Sequence, residues 1–595
     1  MPNILGMTES EPNIDGPIEN FVKVGNFSDF QENQCKAMNV GGKRLLFIKD
    51  KDQVFVLDNR CPHMGFPLDK GTLKNGILTC HWHHARFDIC GGGAFDIWAD
   101  DVDIYPIKMV DQEVWVNPNP KKDVIKHYTA RLKLGLEQNL SLLISKSVIE
   151  LLANGVDPLI PFRIGIEFGT KYRGNGWGSG LTILTAMMNI FYDVKEEDKP
   201  LALYHGLIAV ASDSSNRSPK FQIGSLPEGE TDILKIKTWF RDFVDVFNGD
   251  GSERCLSSAI DIGASRDEIA DMLFTAATDH HFMDEGHLID FINKALEAAD
   301  LLNWQNSKLI LSSLIPIFVN ASRAEDSSAW RTPINLLELT DTAFLKLGDA
   351  VRKGRLKIGS WTQHRRLVDV LMDDNPSLIV DIMLQALEDG IEMIELARII
   401  AYASALRIAH FHTVNEFGDW DNVHHAFTYA NATYLAMVRA PSVDLLRAVF
   451  DGAMFNYLNR FLNIPSAPLP KISNSNHVNP EKFEDELLDL LNRQQQVNRS
   501  ATLVASHLQS SEDSKLVLAG LGSGLLREDR SFHSLQIIEA AFRQHKLAND
   551  KEEGINFLVA GARFLAAHSP SRRAQGQTYK IATKLFRREE IYETG

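Results

Sequence analysis

The stretch CPHMGFPLDKGTLKNGILTCHWHH, residues 61–84, holds two cysteines and four histidines among glycine, proline and short apolar residues. Cys61 and His63 make a C-x-H pair, Cys80 and His83 a C-x-x-H pair, and sixteen residues separate them. Two thiolates and two imidazoles suit a structural zinc ion, or a [2Fe–2S] cluster in which the thiolates take one iron and the imidazoles the other. Either occupant requires two loops brought face to face by short strands. The flanking sequence has that texture: RLLFI and VFVLD border the polar turn KDKDQ, and YPIKMV precedes DQEVWV in the same way. A small all-β domain is expected over 21–118, behind a flexible tail at 1–20.

After NPNPKK at 117–122 the pattern changes to apolar residues at three- and four-residue spacing, as in TARLKLGLEQNLSLLISKSVIELLA. The expected class is multidomain α+β, with the all-β domain followed by a large, mostly α-helical one. A helical catalytic domain is placed at 119–465 and a helical C-terminal subdomain at 466–595. The Pro/Ser/Asn-rich NIPSAPLPKISNSNHVNP marks the boundary. A chain of 595 residues has room for several cores.

Composition narrows the function. A formal net charge of −16 excludes a general affinity for phosphate backbones, so no nucleic-acid partner is expected. No stretch of 18 or more apolar residues suggests a membrane span, and MPNILGMTESEPNIDGP lacks the basic start and apolar run of a signal peptide. The expected location is the cytoplasm. Five cysteines in so long a chain argue against a disulfide framework and leave Cys61 and Cys80 available to metal.

The C-x-H and C-x-x-H pairs, together with HMGFPLDKG between them, resemble the Rieske [2Fe–2S] domain over about residues 20–118. The resemblance implies a [2Fe–2S] cluster on Cys61, His63, Cys80 and His83. It also places Gly65, Pro67, Leu68 and Gly71 where such loops use small and rigid residues near the cluster. Respiratory members brace the two loops with a disulfide at positions held here by Phe66 and Trp82, so the likeness is to the ferredoxin or oxygenase-component type. Such a centre lies toward the lower end of the range of about −150 to +300 mV. His81 is read as a bystander, and His84 stands where the family usually has glycine.

A one-electron carrier needs an acceptor. The string D-x-x-H-x-x-x-x-H of ring-hydroxylating oxygenases is absent after residue 118, so the helical region has to be read for itself. Its histidines cluster in TDHHFMDEGH (His280, His281, His287) and in AHFHTVNEFGDWDNVHH (His410, His412, His424, His425), with His205 alone in LALYHGLIAVA. As one continuous helix, 275–300 would align His280, His287 and Lys294 on one face. Periodicity buries His424 with Trp420, Val423 and Phe427, and sets His425 beside Asp421 and Thr428. A core histidine is more often bonded to a carbonyl than to a metal, yet imidazoles on facing helices are the usual material of a bundle-core iron site.

The phrases around His205, His280, His287 and His425 are similar to motifs of questin-oxidase-like proteins, an all-α group that includes non-heme iron oxygenases. That resemblance implies a mononuclear iron drawn from His205, His280, His287, His424 and His425, with Lys294 as a candidate carboxylated ligand, and His412, on an apolar helical face, joins them as a further candidate. No G-x-G-x-x-G stands at a strand-to-helix turn, so an external ferredoxin or flavin reductase is the expected donor. The resulting expectation is a Rieske-dependent oxygenase acting with O₂ on a small apolar, aromatic or polycyclic substrate, its oligomeric state left open. The alternative is an electron-transfer or redox-sensing protein whose helical part is a non-catalytic scaffold.

Overall fold

The computed structural model describes residues 20–227, 231–471, 479–511, 513–589 and 591. The expected tail at 1–20 therefore falls outside it except for its last residue, as does the middle of the 463–480 segment. A small N-terminal all-β region of three sheets precedes a mostly helical remainder. The chain divides into two compact units, one comprising residues 1–132, 145–156 and 579–595 and the other 133–144 and 157–578.

In the first unit the strands are β1 (Val22–Asn26), β2 (Cys35–Val40), β3 (Lys43–Asp50), β4 (Gln53–Asp58), β5 (Thr72–Lys74), β6 (Ile77–Thr79), β7 (Arg86–Asp88), β8 (Ile107–Val110) and β9 (Glu113–Val116). They form three antiparallel sheets, β1-β9-β8, β2-β3-β4 and β5-β6-β7. Two-residue turns fix the registers. Asn75-Gly76 joins β5 to β6 and Asp111-Gln112 joins β8 to β9, all four residues at positive φ, the conformation that matches strand twist in a hairpin. Strand β3 alternates Leu45 and Phe47 into one core with Val54, Val114 and Val116, and Leu46 and Ile48 into a second with Leu68, Leu78 and Phe87. Cys61 and Cys80 lie in the second core, so the ligand loops are rooted in packed apolar residues. Two helices follow, α1 (Val124–Glu137) and α2 (Ser141–Ala153).

In the second unit four helices pack in a closed ring: α3 (Ser179–Asn189), α4 (His287–Leu301), α5 (Phe417–Arg439) and α6 (Phe532–Leu547). Residues 275–300 are not one helix. The preceding helix ends at Ala276, and α4 starts at His287 with Gly286 (φ 90°) as its N-cap. Phe282, Asp284 and Glu285 between them are left-handed. The side chain of His281 holds this bend: its Nδ1 lies 2.7 Å from the buried carboxylate of Asp451, which also accepts from the Phe282 N–H. Phe282 packs into Tyr429 and Phe455, with centroids 4.6 and 4.2 Å away. These contacts override the helical periodicity, and His280 is turned away from the face of His287.

Candidate metal centres

The first centre is built from two loops of like construction. After β4, the N–H of Cys61 donates to the carbonyl of Phe66 at 2.8 Å; between β6 and β7, the N–H of Cys80 donates to the carbonyl of Ala85 at 2.9 Å. Each loop turns at its fifth residue through a left-handed conformation, Gly65 (φ 81°) in one and His84 (φ 63°) in the other. Histidine thus occupies a backbone state natural to glycine, at a cost of about 1 kcal/mol. Gly71 is required for a different reason: a Cβ there would lie 2.5 Å from the Thr79 carbonyl oxygen. The base of the first loop is closed by Asn59 and Asp69, each donating to the other's side chain at 2.8 and 2.7 Å.

The loops bring the His63 and His83 rings to 4.8 Å, centroid to centroid, and the two cysteine sulfurs into contact. Cys61 is held as the thiol by the neighbouring Cys80 sulfur and by burial, whereas Cys80 is drawn toward the thiolate by the Cys61 S–H and by the backbone N–H groups of Trp82 and His83. Burial, with His83 and Lys146 nearby, pushes the His63 imidazole down to about 4, so it is neutral at neutral pH. Its Nδ1 is buried without a hydrogen-bond partner. An orphaned imidazole nitrogen, a neutral ring and two adjoining sulfurs surrounded by N–H donors fit a bound [2Fe–2S] cluster. Phe66 and Trp82 face each other across the loops at 6.0 Å, an aromatic contact where the respiratory type has its disulfide.

The second centre lies among α4, α5 and α6. One ring nitrogen from each of His287, His425 and His533 can be chosen so that all three lie within 4.8 Å of one another. The Nε2 atoms of His425 and His533 are 3.1 Å apart, the spacing of two nitrogens each about 2.1 Å from a shared ion. His533 Nδ1 lies 3.2 Å from Asp421 Oδ1; an N–H there donates to the carboxylate and turns the Nε2 lone pair inward. Burial pushes His287 down to about 4 and His425 down to about 3, keeping both rings neutral. His424 is fully buried beside this group, its ring 4.5 Å from that of His533. This arrangement can accept a divalent ion through three imidazoles with positions left open.

Residues 20–106 match the family model described as the Rieske [2Fe-2S] domain. They are a Rieske [2Fe–2S] domain. Apoptosis-inducing factor 3 of Homo sapiens is 23% identical over 230 residues, 38% of this chain and 36% of that protein. The 4beta-methylsterol monooxygenase of Methylococcus capsulatus is 32% identical over 59 residues, 10% of this chain and 16% of its own. A solved chain from the complex of reduced oxygenase and oxidized ferredoxin in carbazole 1,9a-dioxygenase is 24% identical, covering 18% of this chain and 98% of that one with a TM-score of 0.17. The chain thus spans little more than a third of the human relative's length.

Outside the Rieske domain the other expected ligands are dispersed. His205 is buried with Nε2 2.7 Å from the Leu526 carbonyl oxygen and Nδ1 3.2 Å from Gln575, so both nitrogens are engaged. His280 sits between Asp245 and Glu325 at 3.0 and 3.2 Å. His412 follows the helix Met393–Ala409 and accepts from the Val414 N–H in a partly exposed turn. Lys294, fully buried, donates to Glu297 and Glu539 at 3.0 and 2.8 Å, and these carboxylates hold it as the ammonium despite burial. His533 was not read from the sequence: it stands alone in RSFHSLQ, 108 residues beyond His425, and only the packing of α6 reveals it.

Proposed function

We propose that the chain is an oxidoreductase of the Rieske-dependent oxygenase kind. In this reading Cys61, His63, Cys80 and His83 hold the cluster, and His287, His425 and His533 hold a mononuclear iron. The observation that carries it is the convergence of three imidazoles, from three helices, to within 4.8 Å of one another inside a chain that also has a Rieske domain. The likeness to a protein named as a monooxygenase points the same way.

A bound cluster supplies single electrons, and a bound iron supplies O₂ activation. The chain's own residues set the conditions. Asp421 orients His533, Phe291 and Phe532 pack against the His287 ring, and burial keeps His287 and His425 unprotonated. No dinucleotide motif is present in the sequence, so a separate ferredoxin or flavin reductase is the proposed donor, and the substrate is a small apolar molecule.

The 3.1 Å contact of His425 and His533 also reads as an ordinary N–H···N hydrogen bond, which favours the electron-transfer scaffold instead. Nitric oxide separates the two. Added to the dithionite-reduced protein, it should produce a high-spin ferrous-nitrosyl EPR signal that is lost in His533→Ala, with the Rieske signal retained. A Rieske signal alone in the wild type would select the scaffold.

A further inference from the structure

The helices that follow the sheets reach back to the first ligand loop. Lys146 on α2 places Nζ 2.6 Å from Asp100 Oδ2 and 3.2 Å from the Pro62 carbonyl oxygen. Pro62 stands between Cys61 and His63, so this ammonium donates into the backbone of the C-x-H pair itself. Asp100, with its side chain 2% exposed, also faces His127 Nε2 at 2.9 Å and accepts from Arg131 Nε at 3.1 Å, both on α1. A cavity of about 130 Å³ opens against the same loop, with Lys122 and Glu150 also in its wall. One buried carboxylate therefore meets two permanent cations, and the ammonium of Lys146 is the one that touches the ligand loop. A fixed positive charge in a partly desolvated site stabilises whichever redox state carries more negative charge.

We propose that Lys146 is a positioning residue of the Rieske domain, fixing the Cys61–His63 loop through Pro62 and raising the reduction potential of the cluster bound there. It acts through the loop and its charge, without ligating metal. The inference rests on the Rieske assignment; if that failed, the wild type would show no Rieske EPR signal at all. It is independent of the second metal centre.

The test is an EPR-monitored redox titration of the full-length protein carrying its cluster, as wild type, Lys146→Gln and Lys146→Arg. Glutamine keeps a donor without the charge, and the reduced-to-oxidised ratio at a fixed poise should fall roughly tenfold, a shift of about 59 mV for a one-electron couple. Arginine keeps the charge and should stay within about twofold of wild type. Loss of the cluster in Lys146→Gln with its retention in Lys146→Arg also supports the assignment. An unchanged potential in the glutamine variant, or equal losses in both variants, would overturn it.

Discussion

The two candidate centres are assembled in opposite ways. The four Rieske residues lie within a window of 23 positions, on two loops whose shape is set by adjacent hairpins. The helical centre takes His287, His425 and His533 from three helices, the histidines themselves more than a hundred residues apart in sequence. In the first, local backbone geometry fixes the site: Cys61 and Cys80 each close a loop onto a carbonyl five residues later. In the second, only packing around the helical ring brings the ligands together, and a single wrong boundary in the chain hides one of them. A site of local origin tolerates changes elsewhere in the fold, whereas a site of tertiary origin inherits every weakness of the elements that meet there.

The comparison can be broken first at its strongest point. Cys61→Ser or Cys80→Ser should abolish the visible and EPR signature of the cluster altogether while the helical content seen by circular dichroism stays; retention of a Rieske signal in either variant would contradict the ligand assignment. Next in size is the bend that delivers His287. Asp451→Asn removes the buried partner of His281 and should cost about 3 kcal/mol by denaturant titration. Burial alone would lower the His281 pKa, but the Asp451 and Asp341 carboxylates raise it to about 9 from an ordinary 6.5. A raised folded-state value means that this contribution is complete below about 6.5 and is lost as pH rises through about 9. The wild type should accordingly lose stability over that window, and Asp451→Asn should show a flatter alkaline profile.

Smaller effects test the loops. Phe66→Ala should remove the aromatic contact between them, worth about 1 kcal/mol beyond the lost burial, and lower the temperature at which the visible circular dichroism of the cluster disappears. His84→Gly should act in the other direction, relieving the left-handed strain and raising that temperature by an amount equivalent to about 1 kcal/mol. If His84→Gly lowers it, the histidine side chain contributes contacts that outweigh its backbone strain.

What the sequence revealed follows the same division. The hairpins β3–β4 and β8–β9 were legible because apolar runs flanking short polar turns are local signals. The buried place of His424 and the nearness of His425 to Asp421 were legible from helical period alone. The break at 277–286 was not, because apolar spacing continues through Phe282 and Met283 while Asp451, which bends the chain there, lies 170 residues from His281. His533 carries no local signal beyond its N-cap Ser531, and an expected subdomain boundary near 465 set it apart from residues with which it shares one compact unit. Lys294, read as a candidate carboxylated ligand, instead donates to Glu297 and Glu539 as a buried ammonium.

The central claim is that one chain carries two metal centres of different construction. Iron per chain, measured on anaerobically purified full-length protein with a fully formed Rieske signal, tests it most directly. A cluster contributes two irons by its composition, so the account predicts about three in the wild type and about two in His533→Ala with the Rieske signal unchanged. A wild-type value of two, with no other metal bound, would contradict it.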